Sequence, residues 1–228
     1  MSDFEGRRVV VTGGGGFLGL AVVSEILQRG GEVHVPAATE GDSRRLRELG
    51  DPRVHVTDAV DLSDEAQAVA FFESVGELWA SVHIAGGFVW GPLADAKTSD
   101  LDLLWNLNVR TCWLSCREAA RRMGEGRIVN VAAKPALVPT PNLSTYAATK
   151  AAVVGLTLSL AEELRDRGIW VNAIAPSIFD TAVNRKAMPD ADFDAWPSVQ
   201  DIAETIAFLA SPSNKSTRGA IVPVYGKS

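Results

Sequence analysis

Seven short runs rich in β-branched and small apolar residues alternate with longer segments whose apolar residues recur at helical spacing, and the first run ends in a string of glycines. That alternation constrains the fold more than any other feature. Strands separated by helices pair in parallel, and a parallel sheet needs helices on both faces. The runs are 8–12 (RVVVT), 32–35, 53–57, 80–85, 127–132 (RIVNVA), 169–175 and 220–224. Helices are expected over 17–29, 43–49, 63–75 with Ser63 as N-cap, 99–107, 109–123, 144–167 and about 199–210. The pattern predicts one α/β domain over 1–228, a doubly wound parallel sheet of about seven strands. No internal repeat, low-complexity tract or linker interrupts it.

Composition narrows the function classes. A chain of 228 residues can bury roughly 70% of its extended surface, enough for a full core. Hydrophobic residues make up 46% and charged residues 22%, which argues against disorder. The net charge of -6 argues against nucleic acid or an anionic membrane as partner, since both want a basic face. The two cysteines, Cys112 and Cys116, cannot build a disulfide framework or a CxxC zinc site, and no metal is expected. No apolar run approaches the length of a membrane span, and residues 1–6 lack the basic start and apolar core of a signal peptide. The expectation is a cytoplasmic protein acting on a small-molecule substrate.

The turn after the first run reads Thr12-Gly13-Gly14-Gly15-Gly16-Phe17-Leu18-Gly19. Glycines let the backbone turn tightly and approach a pyrophosphate, while the following helix N-terminus offers free N–H groups to the anion. Gly13, Gly15, Gly16, Phe17 and Leu18 are therefore candidate cofactor-binding residues of a Rossmann-like fold. A Rossmann domain that binds NAD usually carries an acid at the end of its second strand. Here Pro36, Ala37 and Ala38 stand there. Arg44 can reach a 2′-phosphate or simply lie on a solvated helix face, so NAD and NADP both remain open. Asp61 and Leu62, after the third strand, are placed to edge an adenine or to form a plain turn.

Tyr146 and Lys150 stand at i and i+4 on the helix after the fifth run, and so share one face. An ammonium about 5 Å from a phenol, at an effective dielectric near 20, contributes about 3 kcal/mol. That lowers the tyrosine pKa from about 10 toward neutrality and suits it to acid–base work.

With these residues in place, the chain resembles the short-chain dehydrogenases/reductases along nearly its whole length. The glycine turn, Ala85-Gly86-Gly87, Asn108, the Tyr146/Lys150 pair, and 172–176 (NAIAP) with Thr181 all fall in that family's order. The resemblance implies an NAD or NADP cofactor and a homodimer or homotetramer built on the two long helices. It implies Tyr146 as proton donor and Lys150 as holder of the nicotinamide ribose. Asn108 would support a water relay to that lysine, and Pro176, Ile178 and Thr181 would hold the carboxamide.

The family's usual serine, thirteen positions before the tyrosine, is Ala133. A methyl group cannot hydrogen-bond a substrate oxygen, so simple ketone chemistry should be impaired unless Ser144 or Thr140 substitutes. Ile84 stands where an Asn usually precedes Ala85-Gly86. The quinonoid dihydropteridine reductase branch is similar in having alanine at the serine position, aromatic residues after Ala85-Gly86-Gly87, and a stretch like 180–193 (DTAVNRKAMPDADF). The implied activity is NAD(P)H-dependent reduction of a quinonoid dihydropteridine. A general carbonyl reductase or alcohol dehydrogenase, and a non-catalytic NAD(P)-sensing module, are the alternatives.

Phe88 and Trp90 are candidates for stacking on a flat substrate, and Trp196 for a closing lid. Trp105 and Trp113 read as helix packing, and Lys134 as exposed by pattern. His34, His55 and His83 lie on separate runs and read as unclustered core or edge residues. Cys112 and Cys116 read as buried or at a subunit contact.

Overall fold

The computed structural model describes residues 3–228 as one seven-stranded sheet of order β3-β2-β1-β4-β5-β6-β7, with every neighbouring pair parallel. Met1 and Ser2, part of the segment judged against a signal peptide, lie outside the described residues. The strands are β1 (Arg8–Thr12), β2 (Glu32–Pro36), β3 (Val54–Thr57), β4 (Ala80–His83), β5 (Gly126–Val131), β6 (Ile169–Pro176) and β7 (Ile221–Val224). The helices are α1 (Phe17–Gln28), α2 (Glu40–Arg47), α3 (Glu65–Val75), α4 (Thr98–Leu104), α5 (Thr111–Arg122), α6 (Ser144–Glu163), α7 (Ala182–Ala187) and α8 (Val199–Ala210).

Both faces of the sheet are covered. One core packs α1 and α8 on one face through Val22, Ile26, Ile202 and Ile206. The other packs α3, α5 and α6 on the opposite face through Phe72, Leu114, Ala119 and Val153. Strands sealed on both sides explain why β1 reads as an unbroken apolar run, with Val9, Val10 and Val11 fully buried. The chain winds outward from β1 to β3, then crosses back to place β4 beside β1. The strand order reverses there, and ligands of doubly wound sheets bind in the crevice at the carboxyl ends of such strands.

Several boundaries differ from the sequence reading. Asp64 caps α3 by accepting from Gln67 N, while Ser63 is held in a turn by Asp61. β4 ends at His83, although Ile84 N–H still donates to Thr12 O of β1. The two helices expected over 99–107 and 109–123 are instead joined without a gap by a π-helical stretch, Trp105–Arg110. α6 ends at Glu163, and Gly168 with φ +70° closes the 3₁₀ turn after it. The short α7 went unpredicted, since its six residues AVNRKA carry no apolar period. Among the described residues no helix is long and apolar enough to cross a membrane.

Candidate functional site

Gly13 has φ +69°, and a Cβ there would lie 2.7 Å from Ala85 N. Only glycine fits, because the turn after β1 presses against the turn after β4. A Cβ on Gly19 would strike Gly13 O, so α1 also starts tight against the loop. Gly16 caps α1 with no side-chain hydrogen bond, leaving its first N–H groups facing the crevice without a side-chain partner. That free helix start fits a pyrophosphate. Thr12 Oγ1 accepts from Ala85 N at 3.2 Å and ties the two turns together. Leu18 is buried, whereas Phe17 is 56% exposed.

The end of β2 decides between the two readings of Arg44 in favour of the solvated helix face. Arg44 is exposed and pairs only loosely with Glu48, at 4.0 Å. Arg45 is the arginine at the glycine loop, donating to Gly15 O at 2.7 Å and to Asp42 at 2.6 Å. Helical spacing turns Arg45 toward the loop and Arg44 away from it. Ala37 is buried, with its N–H and C=O engaged by Thr57 and Val60. Asp61 forms a turn, accepting from Ser63 N and Oγ, and those hydrogen bonds hold its carboxyl below the usual range. Leu62 belongs to the core.

The acid–base pair lies across the crevice. Lys150 is buried, donates to Val131 O at 2.8 Å, and has Nζ 5.9 Å from the centre of the Tyr146 ring. Burial pulls Lys150 down to about 8 and pushes the Tyr146 phenol up to about 12. This overturns the expected acidic phenol: desolvation opposes the phenolate, and the ammonium is spent on the carbonyl at the end of β5. Burial thus favours the protonated phenol, the form that a general acid needs.

Asn108 is the one buried residue of the π-helical stretch. Its Oδ1 accepts from Gly87 N at 2.8 Å, and its Nδ2 donates to Gly87 O and to Thr149 Oγ1, each at 3.1 Å. Thr149 in turn donates to Tyr146 O at 2.8 Å. Gly86 must lack a side chain, since a Cβ would lie 2.6 Å from Asn108 Oδ1. Thr12, Thr149 and Arg45 are site residues that the sequence reading missed. Only the position of Thr149, beside Lys150 and one turn after Tyr146, carried a signal.

Ala133 is buried just after β5, and both candidate hydroxyls, Thr140 and Ser144, lie on exposed residues. Thr140 Oγ1 donates to Val138 O at 3.2 Å. Ser144 is two residues before Tyr146 and so faces away from it on the helix. Phe88 is exposed, with its ring centre 5.0 Å from that of Tyr146 in an edge-on arrangement, and Trp90 is also exposed. Thr181 caps α7 by accepting from Asn184 N, next to Pro176 at the end of β6 and the exposed Ile178. Trp196 packs on Phe193, 5.1 Å between ring centres. Lys134 is half-buried over the Tyr225 ring, and Trp105 and Trp113 are half-exposed.

Two of the three histidines cluster, against expectation. His34 and His55 stack at 4.6 Å, because β2 and β3 set them in register, and both reach Glu32. His83 meets Cys112 and Cys116 behind the crevice.

The family model described as short chain dehydrogenase matches residues 7–192. Carbonyl reductase [NADPH] 2 of Sus scrofa is 30% identical over 96% of this chain and 95% of its own. The 3-oxoacyl-[acyl-carrier-protein] reductase FabG of Rickettsia bellii is 28% identical over 99% of this chain and 98% of its own. A short-chain dehydrogenase from Burkholderia cenocepacia, solved in complex with NADP, superposes with TM-score 0.86 at 30% identity, covering 98% of each chain. The chain belongs to the short-chain dehydrogenase/reductase family.

Proposed function

We propose that this chain is an NAD(P)H-dependent reductase that acts on a planar, electron-poor ring, with a quinonoid dihydropteridine as the specific substrate. The observation that carries the reading is Tyr146 set between the Lys150 ammonium and the Phe88 ring, with only the methyl of Ala133 where a second hydroxyl would be needed for a ketone. A conjugated quinonoid ring spreads incoming charge over its own nitrogens. It needs less oxyanion stabilisation than a ketone does.

A reduced nicotinamide dinucleotide, when bound, supplies the hydride. The free start of α1 and the Gly13–Gly16 turn would hold its pyrophosphate, and Ala85, Gly86 and Gly87 would leave room beside the backbone. Pro176, Ile178 and Thr181 would hold the carboxamide. Lys150 would hold the ribose hydroxyls, and Tyr146 would give the proton that completes the reduction. Phe88 and Trp90 stack on the substrate, and Trp196 belongs to the segment that covers it. Residues 1–228 act as one domain, and the exposed Trp113 on α5 and Leu158 on α6 suit packing of those helices in a homo-oligomer.

The test supplies NADH and NADPH separately, with quinonoid dihydropterin generated in the cuvette. Turnover with either, lost in Tyr146→Phe, supports the reading; no turnover above that variant dismisses it. General carbonyl reduction is the second reading, favoured by the similarity to the Sus scrofa carbonyl reductase. Efficient turnover of simple ketones by the unmodified enzyme would favour it.

A further inference from the structure

Behind the crevice, on the α5 side of the sheet, four donor atoms converge in a place that the proposed reduction does not use. His83 ends β4, Asn130 lies on β5, and Cys112 and Cys116 are one turn apart on α5. All four residues are at most 5% exposed. His83 Nδ1 lies 2.8 Å from Asn130 Oδ1 and 3.4 Å from Cys116 Sγ, and both cysteine sulfurs lie 3.4 Å from Asn130 Oδ1. The imidazole nitrogen and the two sulfurs all fall within 4.8 Å of one another.

As a hydrogen-bond network this cluster is poorly matched. Three donors, one imidazole N–H and two thiols, converge on one amide oxygen with two lone pairs. The amide nitrogen gives no relief, because it donates outward to Thr157 Oγ1 at 2.9 Å, which fixes the oxygen toward the sulfurs.

We propose that His83, Cys112, Cys116 and Asn130 form a buried structural site for a thiophilic divalent cation, with Zn²⁺ as the ion best suited. A tetrahedral zinc with two thiolates, one imidazole and one oxygen has ligand–ligand edges of about 3.4 to 3.8 Å. The 3.4 Å separations fall at the lower end of that range, and the 2.8 Å edge is a hydrogen bond that an ion replaces and opens. Two thiolates neutralise the dication, which an enclosed site requires. Ser81 Oγ lies 2.7 Å from His83 Nε2 and orients the ring so that Nδ1 faces the sulfurs. The ion would pin the ends of β4 and β5 to α5, just before the chain enters Ala85-Gly86-Gly87.

The full chain is expressed in zinc- or cobalt-supplemented medium and purified without chelator. We expect one equivalent of metal per chain, a sulfur-to-cobalt charge-transfer band in the near ultraviolet, and X-ray absorption showing two sulfur and two lighter scatterers. Cys112→Ser and Cys116→Ser each lose the metal or the band. Removing the metal from the unmodified protein lowers its Tm, a readout that needs no variant to fold. Metal-free protein from both media overturns the proposal. So does bound metal without two sulfur neighbours, as an ion at Glu32, His34 and His55 would show.

Discussion

Asn108 grips Gly87 with both ends of its amide, accepting from the glycine N–H and donating to the glycine carbonyl. The amide group thus imitates a strand partner for the turn after β4. Its second donor contact, to Thr149, links that turn to the helix that presents Tyr146 and Lys150. The π-helical stretch, a feature common at functional sites, is where Asn108 turns inward.

Replacing Asn108 by Ala leaves the half-buried Gly87 N–H and C=O without this partner. A lost hydrogen bond that water can partly replace costs about 0.5 to 1.5 kcal/mol. Denaturant unfolding should show a loss of that size, and cofactor affinity should fall with it. Asn108→Asp keeps the acceptor for Gly87 N but faces Gly87 O and Thr149 with a carboxylate, and should recover only part of the stability.

Tyr146→Phe should lower turnover by roughly 10²- to 10⁴-fold, the usual contribution of a placed proton donor. Cofactor affinity by calorimetry should barely change. The chain has only two tyrosines, Tyr146 and Tyr225, so the phenol can also be read by ultraviolet difference titration against Tyr146→Phe. In the cofactor-free protein that difference should stay flat to pH 10 and rise toward about 12. A phenolate signal near neutrality would contradict the burial argument.

Lys150 sets a pH dependence of stability with a definite sign. Its native pKa, about 8, lies below the unfolded value of 10.5. Between those values the unfolded chain binds more protons than the native one, so stability should rise as pH rises through this window. The rise from this group is on the order of 3 kcal/mol at most. Lys150→Met should lack it, as unfolding curves at about pH 8 and about pH 10 would show.

Ala133→Ser restores a hydroxyl near Tyr146. A single donor to a developing oxyanion is typically worth about 10²- to 10³-fold in rate. Simple ketones should gain by a factor in that range, and a quinonoid ring far less. Equal gains for both substrate types would remove the case for an electron-poor ring.

Gly13→Ala tests the cradle. The added methyl meets Ala85 N at 2.7 Å and holds the residue at φ +69°, so either the loop shifts or β4's turn opens. Cofactor affinity should fall at least tenfold, and the unfolding midpoint should drop as well, because the positive φ and the close approach both strain the native state.

Much of the architecture was legible because its causes are local or periodic. The run RVVVT followed by glycines fixes strand, turn and helix start, and a sheet sealed on both faces leaves continuous apolar runs. Tyr146 and Lys150 share a face because helical spacing alone puts them there. Folding decided what depends on distance in space. The phenol's acidity turned on burial, which spacing does not reveal. Arg45 rather than Arg44 meets Gly15 through a rotation of one helical residue. His83 reaches Cys112 and Cys116 because parallel β4 and β5 lie under α5, bringing together residues separated by about thirty positions. A sequence records which groups are present and their local period; which of them share a dry interior is set by the packing of layers.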